Sequence, residues 1–94
     1  MAKITIRAFG FFQQLLNSKL IEINTTAKTF KELIEFLSKN LNPKIKNELL
    51  DSNECLSLKY QIFINGKNIL SNAGLDFPIN DGDLIIFSSI VDGG

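Results

Sequence analysis

The residues best suited to chemistry in this chain are its last two. The sequence closes on Val91-Asp92-Gly93-Gly94, shortly after the apolar run Leu84-Ile85-Ile86-Phe87. An α-carboxyl on Gly94 has a reference pKa of about 3.3–3.7, so it is ionised at neutral pH and inert until another protein activates it. Two residues without Cβ atoms let such a group pass through a narrow opening. Glycine also loses more backbone entropy on ordering than any other residue, so a glycine pair after a strand points to flexibility or close approach. The alternative is an ordinary loose chain end.

Other chemistries are poorly supplied. Cys55 is the single cysteine and there is no histidine, which removes intrachain disulfides, His/Cys metal clusters and Ser-His or Cys-His catalysis. Cys55 follows the polar stretch Asp51-Ser52-Asn53-Glu54; a reactive thiol is one reading, and an inert small apolar side chain is the commoner one. No Gly-x-x-x-x-Gly-Lys-Ser/Thr loop is present to hold a nucleotide. Ten basic residues balance ten acidic ones, so there is no net field to attract a phosphate backbone or an anionic membrane. No metal, nucleic acid or membrane is therefore expected as a partner. The start at Met1-Ala2-Lys3 has no leader pattern, and no apolar stretch reaches the roughly 18 residues of a membrane span; the expected location is the cytoplasm.

The elements that would present the terminus can be read from periodicity. Ninety-four residues, 45% of them hydrophobic, suit one compact domain. Ile4, Ile6 and Ala8 alternate with Lys3, Thr5 and Arg7, the period of a strand with one buried face, ending near Phe9-Gly10. Phe11 to Leu16 reads as an irregular or helical turn. Leu20-Ile21-Glu22-Ile23 is a second strand that can pair with the first across a long connection. Phe30, Leu33, Ile34, Leu37 and Leu41 then share one helical face, and Thr29 stands three residues before Glu32 as a capping box. Asn42-Pro43 stops this helix and starts a short second one, with Asn42 as N-cap and Ile45 and Leu49 facing inward. Leu58, Tyr60, Ile62 and Ile64 form a third alternating strand, turned by Asn65-Gly66 into a short return at Lys67-Asn68-Ile69. Residues 71–80 read as loop, Asp81-Gly82 as a turn, and the run at Leu84 as a last strand apolar on both faces.

A helix crossing a mixed sheet, with strands from both ends of the chain in the middle, predicts an α+β fold of the ubiquitin-like β-grasp type: one main crossing helix, a short second helix, a domain over 1–90 and a flexible diglycine tail over 91–94. Ile4-Thr5-Ile6-Arg7-Ala8-Phe9-Gly10, Gln14-Leu15-Leu16, Ile64-Asn65-Gly66 and Asn80-Asp81-Gly82-Asp83 leading through Phe87 and Val91 to Gly93-Gly94 resemble the MoaD/ThiS family of ubiquitin-like sulfur carriers. The resemblance spans nearly the whole chain and is nearest to molybdopterin synthase small subunits. It departs from them at Ser89-Ile90, where a proline pair is common, and at Gln13-Gln14, where Arg-Glu is common.

The resemblance implies a reaction cycle on Gly94. An E1-like adenylyltransferase would activate its carboxylate with ATP, a sulfur donor protein would convert it to a thiocarboxylate, and the molybdopterin synthase large subunit would use that sulfur on a pterin precursor. No cofactor is then bound by this chain, because the nucleotide belongs to the activating partner. Val91, Asp92 and Gly93 would thread the tail into a partner, reaching about 13 Å with Gly94 when extended. Asp92 reads as a solvated spacer. Sulfur delivery to thiamine or to tRNA, and conjugation to protein lysines, are the alternatives. Phe9, Phe63 and Phe87 are candidates for docking a partner, since aromatics are enriched at interface centres; equally, they could fill the domain. A last strand apolar at every position does not reveal which face is inward. Arg7 and Lys67 are exposed-charge candidates for pairing with a partner's acids.

Overall fold

The computed structural model describes residues 1–57, 59–71 and 73–89. The chain order is β1 (Ala2–Ala8), α1 (Phe11–Leu16), β2 (Leu20–Thr25), α2 (Phe30–Asn40), α3 (Lys44–Leu49), β3 (Tyr60–Ile64), β4 (Lys67–Asn68) and β5 (Leu84–Ser89), with 3-10 turns at Ile69–Ser71 and Gly74–Asp76. The strands form one mixed sheet in the order β2-β1-β5-β3-β4. β1 is antiparallel to β2 and parallel to β5, and β5 is antiparallel to β3. This is the α+β, ubiquitin-like β-grasp arrangement, with strands from the two ends of the chain side by side in the middle.

All three helices lie over one face of the sheet. Ile4, Ile6 and Ala8 of β1, Ile62 and Ile64 of β3, and Ile85 and Phe87 of β5 meet Phe30, Leu33, Ile34 and Leu37 of α2 and Ile45 and Leu49 of α3, all within the buried core. α2 starts as the capping box requires: the Glu32 N–H donates to Thr29 Oγ1 at 3.3 Å. Glu32 reaches back to the N–H of Lys28 rather than that of Thr29, accepting at 2.8 Å. α3 is capped at Pro43 and not at Asn42 as expected: Pro43 stands in the helical region at φ −61° and ψ −19° without a side-chain cap bond, because its ring fixes φ, and Asn42 Oδ1 accepts from the Lys44 N–H at 2.9 Å from one residue further back. Phe11–Leu16 forms a helix, closed by Asn17 in the left-handed region at φ 56°.

Two further expectations are corrected. Leu41 lies just past the end of α2 and is 46% exposed; its backbone N–H still donates to the Leu37 carbonyl, but its side chain has turned off the apolar stripe. Ile69 is buried, yet it begins a 3-10 turn rather than ending β4. Asn68 Oδ1 accepts from the Leu70 N–H at 2.9 Å, and this local bond curls the chain away from the ladder. No described helix is long and apolar enough to cross a membrane.

Candidate functional site

The tail residues Val91, Asp92, Gly93 and Gly94, the strand start at Leu58, and Ile90 at the end of the expected domain lie outside the described residues; β5 is the described element that leads to the tail. β5 runs in the same direction as β1, which brings its C-terminal end to the corner where Phe9-Gly10 turns into α1. The Phe9 N–H donates to the Phe87 carbonyl at 2.9 Å, and Ser89 stands in register with Tyr60 at the start of β3.

This corner is built on aromatic packing. Phe87 stacks on Phe12 of α1 with ring centroids 4.3 Å apart and planes 16° from parallel, and Phe12 meets Tyr60 edge-on at 5.6 Å and 79°. Phe30 of α2 lies 6.0 Å from Phe87 on another side. Such rings are rigid and carry preferred geometries, so β5 is fixed against α1 and α2 two residues before its end. Phe87 is therefore no docking residue: its side chain has no exposure at all. Alternation along β5 puts Ile85 and Phe87 inward and Leu84, Ile86 and Ser88 outward, and these outward residues are only partly buried.

The outer face of the sheet is open. Register places Ile86 between Arg7 of β1 and Phe63 of β3, and Arg7 beside Leu20 of β2. Phe9, just beyond β1, is 47% exposed, with the Arg7 guanidinium 5.8 Å from its ring centroid, within the range of a cation–π contact. The face thus carries Leu20, Ile86, half-buried Phe63 and Phe9 around one cation. Phe9 and Phe63 sit where docking requires an accessible side chain. Ile86 and exposed Leu20 belong with them by register and were not found from the sequence. Ile86 became legible only once β5 was paired, and Leu20 could have been found from its parity opposite Ile21 and Ile23. Lys67 is exposed at the far edge of the sheet in β4. Cys55 is exposed in the α3–β3 connection, where Asp51 Oδ1 accepts from the N–H groups of Asn53 and Cys55 at 2.8 and 3.1 Å.

The other end of β5 is polar. Asp83, almost fully buried, accepts from Asn65 Nδ2 at 2.8 Å and from the Asn80 N–H at 2.7 Å. Asn65 Oδ1 accepts from the Leu84 N–H at 2.9 Å. The Asn65-Gly66 turn has positive φ at both residues, 52° and 85°, as a type I′ hairpin requires. Lys3 donates its N–H to Asp81 Oδ1 at 2.7 Å and accepts from the Gly82 N–H at 2.8 Å. The Asn-Gly and Asp-Gly-Asp motifs therefore interlock, and they set the register in which β5 enters the sheet.

No family model and no curated protein matches the chain in sequence. Solved structures match it in fold. A chain in the crystal structure of the Amycolatopsis orientalis BexX/CysO complex superposes with a TM-score of 0.80 at 21% identity, covering 97% of this chain and 99% of that one. Small archaeal modifier protein 1 from Methanosarcina acetivorans gives 0.77 at 20% identity over 100% and 98%. A putative molybdopterin converting factor subunit 1 from Pyrococcus furiosus gives 0.67 at 22% over 95% and 98%. At these identities the likeness establishes the fold.

Proposed function

We propose that this protein is a ubiquitin-like sulfur carrier of the MoaD/ThiS type whose working group is the carboxylate of Gly94. The observation that carries this reading is the pairing of a diglycine sequence end with a central strand whose last residues are held on a rigid aromatic corner beside an open, partly apolar face. Whole-length likeness in fold to a molybdopterin converting factor subunit and to a chain of the BexX/CysO complex supports it.

In this reading an E1-like adenylyltransferase docks on the face carrying Phe9, Ile86 and Phe63 and receives the tail. A carboxylate oxygen of Gly94 attacks the α-phosphorus of ATP, pyrophosphate leaves, and the acyl carbon becomes electrophilic. Hydrosulfide released by the donor protein then attacks that carbon, the C–O bond to AMP breaks, and AMP leaves with its oxygen, giving the thiocarboxylate and a proton. This chain supplies the carbonyl carbon and its presentation; the nucleotide site belongs to the activating enzyme. We assign the sulfur to molybdopterin synthesis, with the synthase large subunit as the second docking partner.

Incubation with a cognate E1-like enzyme, ATP and a sulfur source should raise the intact mass by the difference between sulfur and oxygen, and a Gly94 deletion should abolish the change. An unchanged wild type beside an active enzyme would refute the carrier reading. The likeness to small archaeal modifier protein 1 favours a second reading, in which the same acyl-adenylate passes to a lysine amine. Higher-mass adducts on a denaturing gel that vanish with the Gly94 deletion would support it.

A further inference from the structure

We infer that Glu48 and Tyr60 are positioning residues for the tail: their side-chain hydrogen bond holds the strand segment that pairs with the last two described residues of β5. The proposal rests on the carrier reading above and concerns how the carboxylate is delivered rather than what happens to it.

The β1 register with β5 ends at Ala8 opposite Phe87. Beyond that point the Phe9 N–H still reaches the Phe87 carbonyl at 2.9 Å, and among the described residues the register partners of Ser88 and Ser89 are Gln61 and Tyr60 of β3. A strand end with few partners borrows its stability from the neighbours that carry it, here chiefly the start of β3. Tyr60 holds the start of β3 through both its ring and its hydroxyl. The Tyr60 ring is buried edge-on against Phe12. Its hydroxyl donates to Glu48 Oε1 on α3 at 2.8 Å, and Lys59 Nζ approaches the same oxygen at 3.4 Å. One carboxylate on α3 thus ties down the two residues that lead into β3.

If this tie loosens, Gln61 and Tyr60 can part from Ser88 and Ser89, adding about 7 Å of free chain before the tail. Docking through the outer face would be unaffected, because Phe9, Ile86 and Phe63 are held by other contacts. Delivery of the carboxylate to the adenylating centre would suffer, since positional freedom at a reacting atom lowers the rate of the chemical step.

The test is steady-state ATP–pyrophosphate exchange by the cognate E1-like enzyme on wild type, Tyr60→Phe, Glu48→Ala and the double variant, together with hydrogen exchange at the Ser88 amide. We expect kcat to fall about three- to tenfold in each single variant, the scale of one lost hydrogen bond, with KM nearly constant. The double variant should fall short of the sum of the two single effects, because both remove the Tyr60–Glu48 bond. Glu48→Gln, which keeps an acceptor for the hydroxyl, should restore most of the rate. Ser88 exchange should accelerate in the impaired variants while Ile6 in the middle of β1 stays protected. A purely structural role would instead lower the folded fraction, raising KM and leaving kcat at saturation. Because Glu48→Ala alters a partly exposed side chain, the test survives even if Tyr60→Phe folds poorly. Wild-type kcat in the variants, a KM effect alone, or unchanged Ser88 exchange would overturn the positioning role while leaving the carrier reading standing. Absence of exchange with the wild type would remove both.

Discussion

The two ends of β5 are held by different physics. Where the strand enters the sheet, hydrogen bonds among Asn65, Asn80, Asp81, Asp83 and the backbone of Lys3, Gly82 and Leu84 fix it in register. Where it leaves, Phe87 is clamped between Phe12 and Phe30, and Tyr60 stands beside the last residue. Hydrogen bonds are directional and set which residue faces which; aromatic packing has area but little longitudinal specificity, so it sets direction and stiffness. Under the proposed carrier reading, a strand that projects a reactive end draws on both.

The sharpest way to break this comparison is at the exit. Phe87→Ala should cost about 3–5 kcal/mol, because it removes a fully buried ring and leaves a cavity against two others. Urea denaturation should show a midpoint shift large enough to threaten folding. A loss below about 1 kcal/mol would mean that the stack does not hold the strand. At the entrance, Asp83→Ala should cost about 1–3 kcal/mol by leaving the Asn65 amide and the Asn80 N–H without their acceptor. It should also speed hydrogen exchange at Leu84 while sparing Phe87, and equal acceleration at both would erase the distinction between the two ends. Gly82→Ala tests the turn alone. The position has φ +88° with open space around a Cβ, so the expected loss of about 1 kcal/mol comes from backbone strain and not from a clash.

The remaining effects are smaller in stability and separate docking from folding. Phe9→Ser should change stability by no more than about 0.5 kcal/mol, since the ring is largely outside the core, yet raise KM for the activating enzyme; an unchanged KM would remove Phe9 from the docking face. The smallest effect concerns the helical layer, away from the ladder. Glu35, 2.8 Å from Lys46 Nζ, raises that lysine's pKa above its ordinary 10.5, through the hydrogen bond first and the charge attraction second. A raised folded pKa means the contribution is complete below the unfolded value and is lost as pH rises through the folded one. Any difference in Tm between wild type and Glu35→Gln should therefore persist at neutral pH and disappear in strongly alkaline solution. Both groups are well exposed, so salt should screen it.

Several elements were legible because a local rule and the global fold agree. Thr29 with Glu32 marked the start of α2, Asn42-Pro43 marked the break before α3, and Asn65-Gly66 marked the hairpin, each through bonds made within a few residues. The alternation of Ile4, Ile6 and Ala8 gave the inward face of β1 because its other face is polar. Leu41 and Ile69 misled for a common reason: each continues an apolar pattern, but the end of a helix at Leu41 and a local hydrogen bond beside Ile69 redirect it. Nothing local could have revealed the Tyr60–Glu48 bond, whose partners lie on different elements.

The sequence by itself determined the crossing helix, the turns, the central place of the last strand and the diglycine that follows it, since these rest on periodicity, capping and backbone permissiveness within short spans. Only the tertiary structure decided that Phe87 faces the core while Ile86 faces outward. A run apolar at every position carries no period-two signal, so its orientation is set by pairing with Ile64 and Thr5 from distant parts of the chain.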